Sequence, residues 1–242
     1  MGLPKIDIPT QVVTLPSNQK EIIIRPFLVK EEKILLTALT SGETSDIIHA
    51  TKQVVHNCII TKDIDVEKLP VYDLEYLILQ LRIMSIGSTI KVQFSPIQDS
   101  ECEECKKGRE VEVDISEATV VFDKNHENRI QLTEEIGIVL KDPSAKVMNV
   151  LGAAEKKEIG DMFKIIWSCV DYVYDSETQT SAKDVSEKEG IEFLESLNTQ
   201  QFAKIDNFFK TLPKLQLPIE ITCQTCGFHD TYILEKLESF FG

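Results

Sequence analysis

Two stretches decide how this chain is read: Pro218-Ile219-Glu220-Ile221-Thr222-Cys223-Gln224-Thr225-Cys226-Gly227, and its counterpart Thr89-Ile90-Lys91-Val92-Gln93-Phe94 leading to Cys102-Glu103-Glu104-Cys105. Each holds a Cys-x-x-Cys pair in a polar turn. Arg109-Glu110-Val111-Glu112-Val113-Asp114-Ile115 follows the first pair and Asp230-Thr231-Tyr232-Ile233-Leu234 follows the second. Alternation of apolar and polar residues is the mark of a half-buried strand, so each pair is expected at the tip of a β-hairpin. A glycine comes soon after each pair, Gly108 and Gly227. A zinc knuckle folds backbone N–H groups back toward the thiolates, and glycine permits that turn. Cys102, Cys105, Cys223 and Cys226 then supply four sulfurs, a complete tetrahedral structural zinc site. Such a site is closed, with no open position for a substrate.

Between Cys105 and Cys223 lie 117 residues, far more than the roughly 15–20 of a compact ribbon. The pairs share one metal only if the fold returns the chain to its starting sheet. The other reading is two reduced hairpin turns, or a disulfide formed after oxidation. His229, three residues past Cys226, is a second choice as ligand, or a hydrogen-bond partner for a thiolate. Cys58 and Cys169 sit in apolar stretches and read as core.

The chain has 242 residues, with 26 Lys and Arg against 40 Asp and Glu, a net charge of −14. That length allows one elaborate domain or two small ones. The acidic balance disfavours nucleic acid or anionic membrane as a partner and favours a basic protein. Met1-Gly2-Leu3-Pro4-Lys5 lacks the apolar run of a signal peptide. No apolar run reaches the roughly 18–20 residues of a membrane span. Gly2 would suit myristoylation, but Ile6 stands where that motif wants Ser or Thr. Six cysteines without a signal suit a reducing cytosol.

The expected fold class is α+β: zinc-ribbon-like hairpins surrounded by an N-terminal and an inserted helical layer. Residues 1–17, punctuated by Pro4, Pro9 and Pro16, read as an extended arm. Residues 18–88 read as a strand and helical layer, with a strand at 21–25 and helices at 29–39, from 44 onward, and at 70–86. The last of these is apolar on most faces and is expected at the centre, with Arg82 paired to a carboxylate. Residues 89–142 hold the first knuckle hairpin and a β region. Residues 143–213 read as a helical insertion, its longest helix spanning 158–174, with a polar loop at 175–184 and helices at 187–196 and 199–212, the last capped by Thr199. Residues 214–242 hold the second knuckle hairpin and a closing helix at 234–241.

Sites of catalysis are missing. The chain has no Gly-x-x-x-x-Gly-Lys-Ser/Thr loop, no Gly-x-Gly-x-x-Gly turn and no Gly-x-Ser-x-Gly elbow. Four histidines, at 49, 56, 126 and 229, are few for a His-based site. The seven-residue spacing of His49 and His56 is too wide for ligation from adjacent turns. No catalytic residue is assigned, and a protein without turnover is expected, acting by contact. Two segments are the expected contact elements. One is the arm, with Ile6, Ile8, Val12, Val13 and Leu15. The other is the C-terminus, where Leu234, Leu237 and Phe241 share a helical face and Phe240 is left for a partner.

Ile24-Arg25-Pro26-Phe27-Leu28-Val29-Lys30-Glu31-Glu32-Lys33-Ile34-Leu35-Leu36 resembles the T4-type bacteriophage baseplate family, which holds the hub proteins and the hub assembly catalyst. The likeness continues through Leu69-Pro70-Val71-Tyr72-Asp73-Leu74-Glu75-Tyr76 and Leu81-Arg82-Ile83-Met84-Ser85-Ile86-Gly87, and takes in the knuckle hairpins. The resemblance implies a non-enzymatic tail protein, either a hub component or a hub assembly factor. It implies other phage baseplate or hub proteins as partners, and a location in the virion tail baseplate or in the host cytoplasm during assembly. Arg25-Pro26-Phe27 also has a local reading, in which Phe27 packs in the core and Arg25 pairs with a nearby acid. The competing function is a zinc-ribbon factor associated with nucleic acid or transcription, against which stand the net charge and Glu103-Glu104 inside the first knuckle. A metal-dependent hydrolase is the third reading, and no open-site ligand set supports it.

Overall fold

The computed structural model describes residues 6–95, 101–147, 159–235 and 237–240. It begins with an antiparallel pair, β1 (Gln11–Thr14) and β2 (Glu21–Ile24), with Val12 opposite Ile23 and Val13 opposite Ile22. The reading of residues 1–17 as an extended arm is therefore corrected from Gln11 onward. Val13 and Leu15 lie on the inward face, with Val12 and Thr14 turned outward, and both reach the core, at 4% and 1% exposure. Ser17 fastens the turn to the body: its N–H donates to Asp73 Oδ1 at 3.0 Å and its hydroxyl donates to Oδ2.

Three helices follow: α1 (Val29–Ser41), α2 (Thr44–Cys58) and α3 (Val71–Ile86). Helix α1 ends at Gly42, whose φ of +73° is a left-handed stop that glycine takes without strain. Helix α3 is central, as its sequence implied. Leu74, Leu77, Ile78 and Leu81 join one core with Val13, Leu15, Ile22, Ile24, Val54, Val55 and Cys58. Leu79, with Tyr76 and Ile83 beside it, joins another core made by the knuckle hairpins. A helix that is apolar all round has to be covered on more than one side.

Arg25-Pro26-Phe27 takes its local reading. Phe27 packs on the N-terminal core. Arg25 Nη2 donates to Glu31 Oε1 at 3.0 Å, and the Leu28 N–H donates to Glu31 Oε2 at 2.9 Å. Burial pushes the Glu31 carboxyl up, but Arg25 and the Leu28 N–H outweigh it and hold the group below its ordinary value. A depressed folded pKa adds stability above the unfolded value, which is about 4.3, and that stability is lost as pH falls through the folded pKa. The stability gap between the wild type and Glu31→Gln is therefore expected to narrow as pH drops from about 6 to about 3. Denaturant melts of both at each pH check this; a constant gap would show that the Glu31 charge contributes nothing.

Arg82 departs from expectation. Among the described residues it meets no carboxylate and its Nε has no partner; its Nη1 donates to the Gly87 carbonyl and its Nη2 to the Thr89 carbonyl at 3.4 Å. The C-terminal end of α3 offers carbonyls close by, and a guanidinium reaches them without crossing the core.

The first knuckle hairpin is β3 (Thr89–Phe94) paired with β4 (Arg109–Asp114), Thr89 opposite Asp114 and Phe94 opposite Arg109. Strand β5 (Thr119–Val121) follows. The chain then builds a separate unit: β6 (Arg129–Gln131), β7 (Gly137–Leu140), α4 (Ile159–Ser168), β8 (Val170–Tyr174), β9 (Gln179–Ser181), α5 (Glu187–Glu195) and α6 (Thr199–Lys210). Its sheet has the order β6-β7-β8-β9, antiparallel throughout, and its core gathers Ile138, Leu140, Ile166, Trp167, Val170, Leu194, Ile205 and Phe208.

Several expectations for the segment 143–213 are corrected. The helix expected over 158–174 stops at Ser168, and Val170–Tyr174 is a strand. Two valines and two tyrosines in five residues fit a pleated surface better than a helix once β7 is there to pair with. The polar loop at 175–184 is a tight turn into β9: Asp175 Oδ1 accepts the Thr178 N–H at 2.6 Å. Asn198, not Thr199, caps α6, accepting the Gln200 and Gln201 N–H groups at 2.9 Å while Gln201 returns a bond to Asn198 N–H. The helix that 144–151 was expected to begin falls largely outside the described residues.

Strand β10 (Lys214–Thr222) brings the chain back. Its first residues pair with β5, Lys214 opposite Val121, and its remainder pairs with β11 (His229–Leu234), giving the order β5-β10-β11. The inserted unit is thus a long excursion whose ends meet in one sheet. The closing helix expected over 234–241 is also corrected. Leu234 ends β11, and a short 3-10 turn, Leu237–Phe240, follows. Phe240 is fully buried beside Leu79, Leu215 and Leu217, so it is a core residue and not the partner anchor expected. Phe241 lies outside the described residues.

Candidate metal centre

The return of β10 to β5 carries the second Cys-x-x-Cys tip to the first. Cys102 and Cys105 lie in the connection between β3 and β4; Cys223 and Cys226 lie between β10 and β11. Cys102 Sγ is 4.0 Å from Cys223 Sγ, and Cys105 Sγ is 3.5 Å from Cys226 Sγ. All four sulfurs lie within 4.8 Å of one another. A tetrahedral site with metal–sulfur bonds of about 2.3 Å has sulfur–sulfur edges of about 3.8 Å. A disulfide needs about 2.05 Å. The cluster therefore has the size of a thiolate cage around one soft divalent cation, and the donor set is what such a cation takes. Of the four, Cys105 and Cys223 are buried, Cys102 is half-buried and Cys226 is exposed.

Local backbone prepares the site. In the second knuckle the Cys223 N–H donates to the Phe228 carbonyl at 2.7 Å, and the Gly227 N–H to the Cys223 carbonyl at 2.9 Å. Gly227 has φ +74°, the left-handed turn its position implied. The N–H groups of Cys226 and then Thr225 point at the Cys223 sulfur and, with Cys105, bring its pKa down to about 6. The first knuckle closes differently, with the Lys106 N–H donating to the Cys102 carbonyl at 3.1 Å. Gly108 is not among the glycines with positive φ, so the expected parallel between the two glycines fails. Lys106 and Lys107 pair with Glu103 and Glu104, each at 2.9 Å.

The remaining sequence candidates fall elsewhere. His229 Nδ1 lies 3.1 Å from Thr222 Oγ1 and is not part of the sulfur cluster. His49 and His56 are exposed on α2. Cys58 and Cys169 are buried, and burial pushes each thiol up to about 11, away from ligand or nucleophile chemistry. Ile6 and Val12 remain exposed, at 88% and 56%.

A second polar cluster had no sequence signal. Tyr72 donates to Asp142 Oδ2 at 2.8 Å, His126 Nε2 lies 3.3 Å from Asp142 Oδ1, and His126 Nδ1 lies 3.0 Å from Thr211 Oγ1. The His126 ring also rests on Phe208, with centroids 4.8 Å apart. Burial and the Asp142 carboxylate raise the Tyr72 pKa, so the phenol keeps its proton and donates. The four residues come from α3, two connections and the end of α6, with no motif to link them. Together they tie the inserted unit to the N-terminal body.

Among the described residues no helix is long and apolar enough to cross a membrane. The family described as T4 bacteriophage base plate protein matches residues 8–242, essentially the whole chain. No curated protein matches the chain, and no solved structure does.

Proposed function

The chain belongs to the T4 bacteriophage base plate protein family, and from that premise we propose that it serves the tail baseplate as a hub component or hub assembly factor, through protein contacts and without enzymatic turnover. Membership implies a place in the virion tail. The observation that carries the finer reading is the closed sulfur cluster. Cys102, Cys105, Cys223 and Cys226 would hold one structural zinc ion, and four protein ligands leave no position for a substrate. Bound there, the metal supplies a cross-link between two hairpin tips in the manner of a zinc ribbon. The hairpins themselves are not joined in one ladder: β3-β4 and β5-β10-β11 are separate sheets. The tip-to-tip link therefore adds to the shared core and to the Phe94–Tyr232 ring contact that already hold the hairpins together. A rigid, stapled surface suits a protein whose work is to be contacted.

Mass spectrometry of purified virions and of tail-assembly intermediates tests this. Peptides at a few copies per finished particle would assign the chain to the hub. Peptides in intermediates alone would assign it to assembly. Absence from both would overturn the proposal.

A further inference from the structure

We propose that the cleft between the N-terminal helices and the β6–β9 sheet docks a short acidic segment of a partner protein that also carries an apolar side chain. This rests on the reading of function by contact and names the chemistry of one contact. The cleft measures about 1,700 Å³. Its walls bring together sequence-distant segments, among them Tyr72 on α3, Phe122 after β5, Arg129 on β6, Lys146, and Lys183 after β9.

Most charges on these walls already have partners. Lys68 pairs with Asp65 at 2.9 Å, Lys141 with Asp171 at 2.8 Å, and Glu67 with Lys52 at 2.8 Å. Asp142 is held by Tyr72 and His126. Arg129, Lys146 and Lys183 have no ion-pair partner among the described residues; of the lining acids Glu127 has none either, and Asp142 has only hydrogen bonds from a phenol and an imidazole, which leaves three cations against two carboxylates. Arg129 is held in place over the Tyr174 ring, 4.1 Å from its centroid. The uncompensated charge of the cleft is thus positive, in a chain whose net charge is −14. A recess with such walls concentrates its field on a short anionic group, while the charge of the whole molecule repels a long polyanion.

Phe122 adds the apolar half of the recognition. Its side chain is 51% exposed at the cleft and is braced edge-on by Tyr72, with ring centroids 5.9 Å apart. An exposed, braced aromatic beside cations fits a peptide with carboxylates and an apolar residue. A nucleic-acid strand would satisfy the cations only, against the net charge.

The test is fluorescence anisotropy of the full chain with a labelled peptide of alternating glutamate and leucine, beside an oligothymidylate of equal charge. Saturable peptide binding is expected, weakening about tenfold in the Lys146→Glu/Lys183→Glu variant, a change of about 1.4 kcal/mol. High salt should weaken it similarly. Phe122→Ser is expected to weaken binding about fivefold at every salt concentration. Lys146 and Lys183 are exposed, so the double variant keeps its fold, and its melting temperature verifies this. No saturable binding, binding indifferent to the double variant, or equal binding of the oligothymidylate overturns the proposal. So does concentration-dependent self-association in sedimentation that the double variant abolishes, because the occupant would then be a second copy of the chain. These outcomes are independent of whether the chain is found in virions.

Discussion

Stripping the metal, or replacing Cys223 with serine, will lower the melting temperature by about 10 °C. A ligand that binds only the folded chain adds its binding free energy to folding. Zinc in isolated finger peptides contributes about 10–16 kcal/mol. Here the two hairpin tips can separate locally while the N-terminal and inserted cores persist, so only part of that appears in the global melt. A loss of about 4 kcal/mol corresponds to about 10 °C in a chain of this size. Elemental analysis of the wild type should find one zinc per chain, and none in Cys223→Ser. The chelator should have no further effect on that variant, which separates metal loss from general damage by chelation. Unchanged melting with the zinc fully removed would end the case for a structural metal.

The second large effect is expected at Gly190. This glycine lies inside α5, where helix propensity alone favours alanine by about 1 kcal/mol. The Trp167 ring lies directly on it, so that a Cβ added there would overlap the indole atoms Cδ2, Cε2 and Cζ2. Trp167 is itself buried in the core of the inserted unit. Alanine must therefore expel the ring or push α5 away from α4, and overpacking of this kind costs about 1–3 kcal/mol or somewhat more. Gly190→Ala is expected to destabilise by about 3 kcal/mol net, opposite in sign to propensity. Because Trp167 is the only tryptophan, its fluorescence reports the event directly: the native emission should shift to the red. Alanine that melts at or above the wild-type temperature would show that the contact relaxes without cost.

How far each feature could be read in advance depended on the range of its cause. Local causes were sufficient for α1, α2 and α3, for the two hairpins, and for α5 and α6, because periodicity, turn residues and caps act within a few residues. The four clustered sulfurs were named for the same reason, since each Cys-x-x-Cys pair is a local object. Period alone did not separate helix from strand at Val170–Tyr174, where one apolar run continues from α4. There the partner strand β7 decides, and it lies some thirty residues upstream.

What the sequence by itself determined was the α+β class, the central place of α3, the identity of the cysteines and the absence of a membrane-length apolar run. The tertiary structure alone decided that the two cysteine pairs meet, because that depends on Lys214 returning to pair opposite Val121 after the inserted unit. It alone turned Phe240 inward, since a buried place against Leu79, Leu215 and Leu217 exists only once α3 and β10 are packed together. It gave Arg82 the carbonyls of Gly87 and Thr89 as partners, and it opened the cleft in which Arg129, Lys146 and Lys183 face the same space. Local pattern governs what an element is. Which elements touch depends on burying the apolar faces of all of them at once, and that competition is settled only in three dimensions.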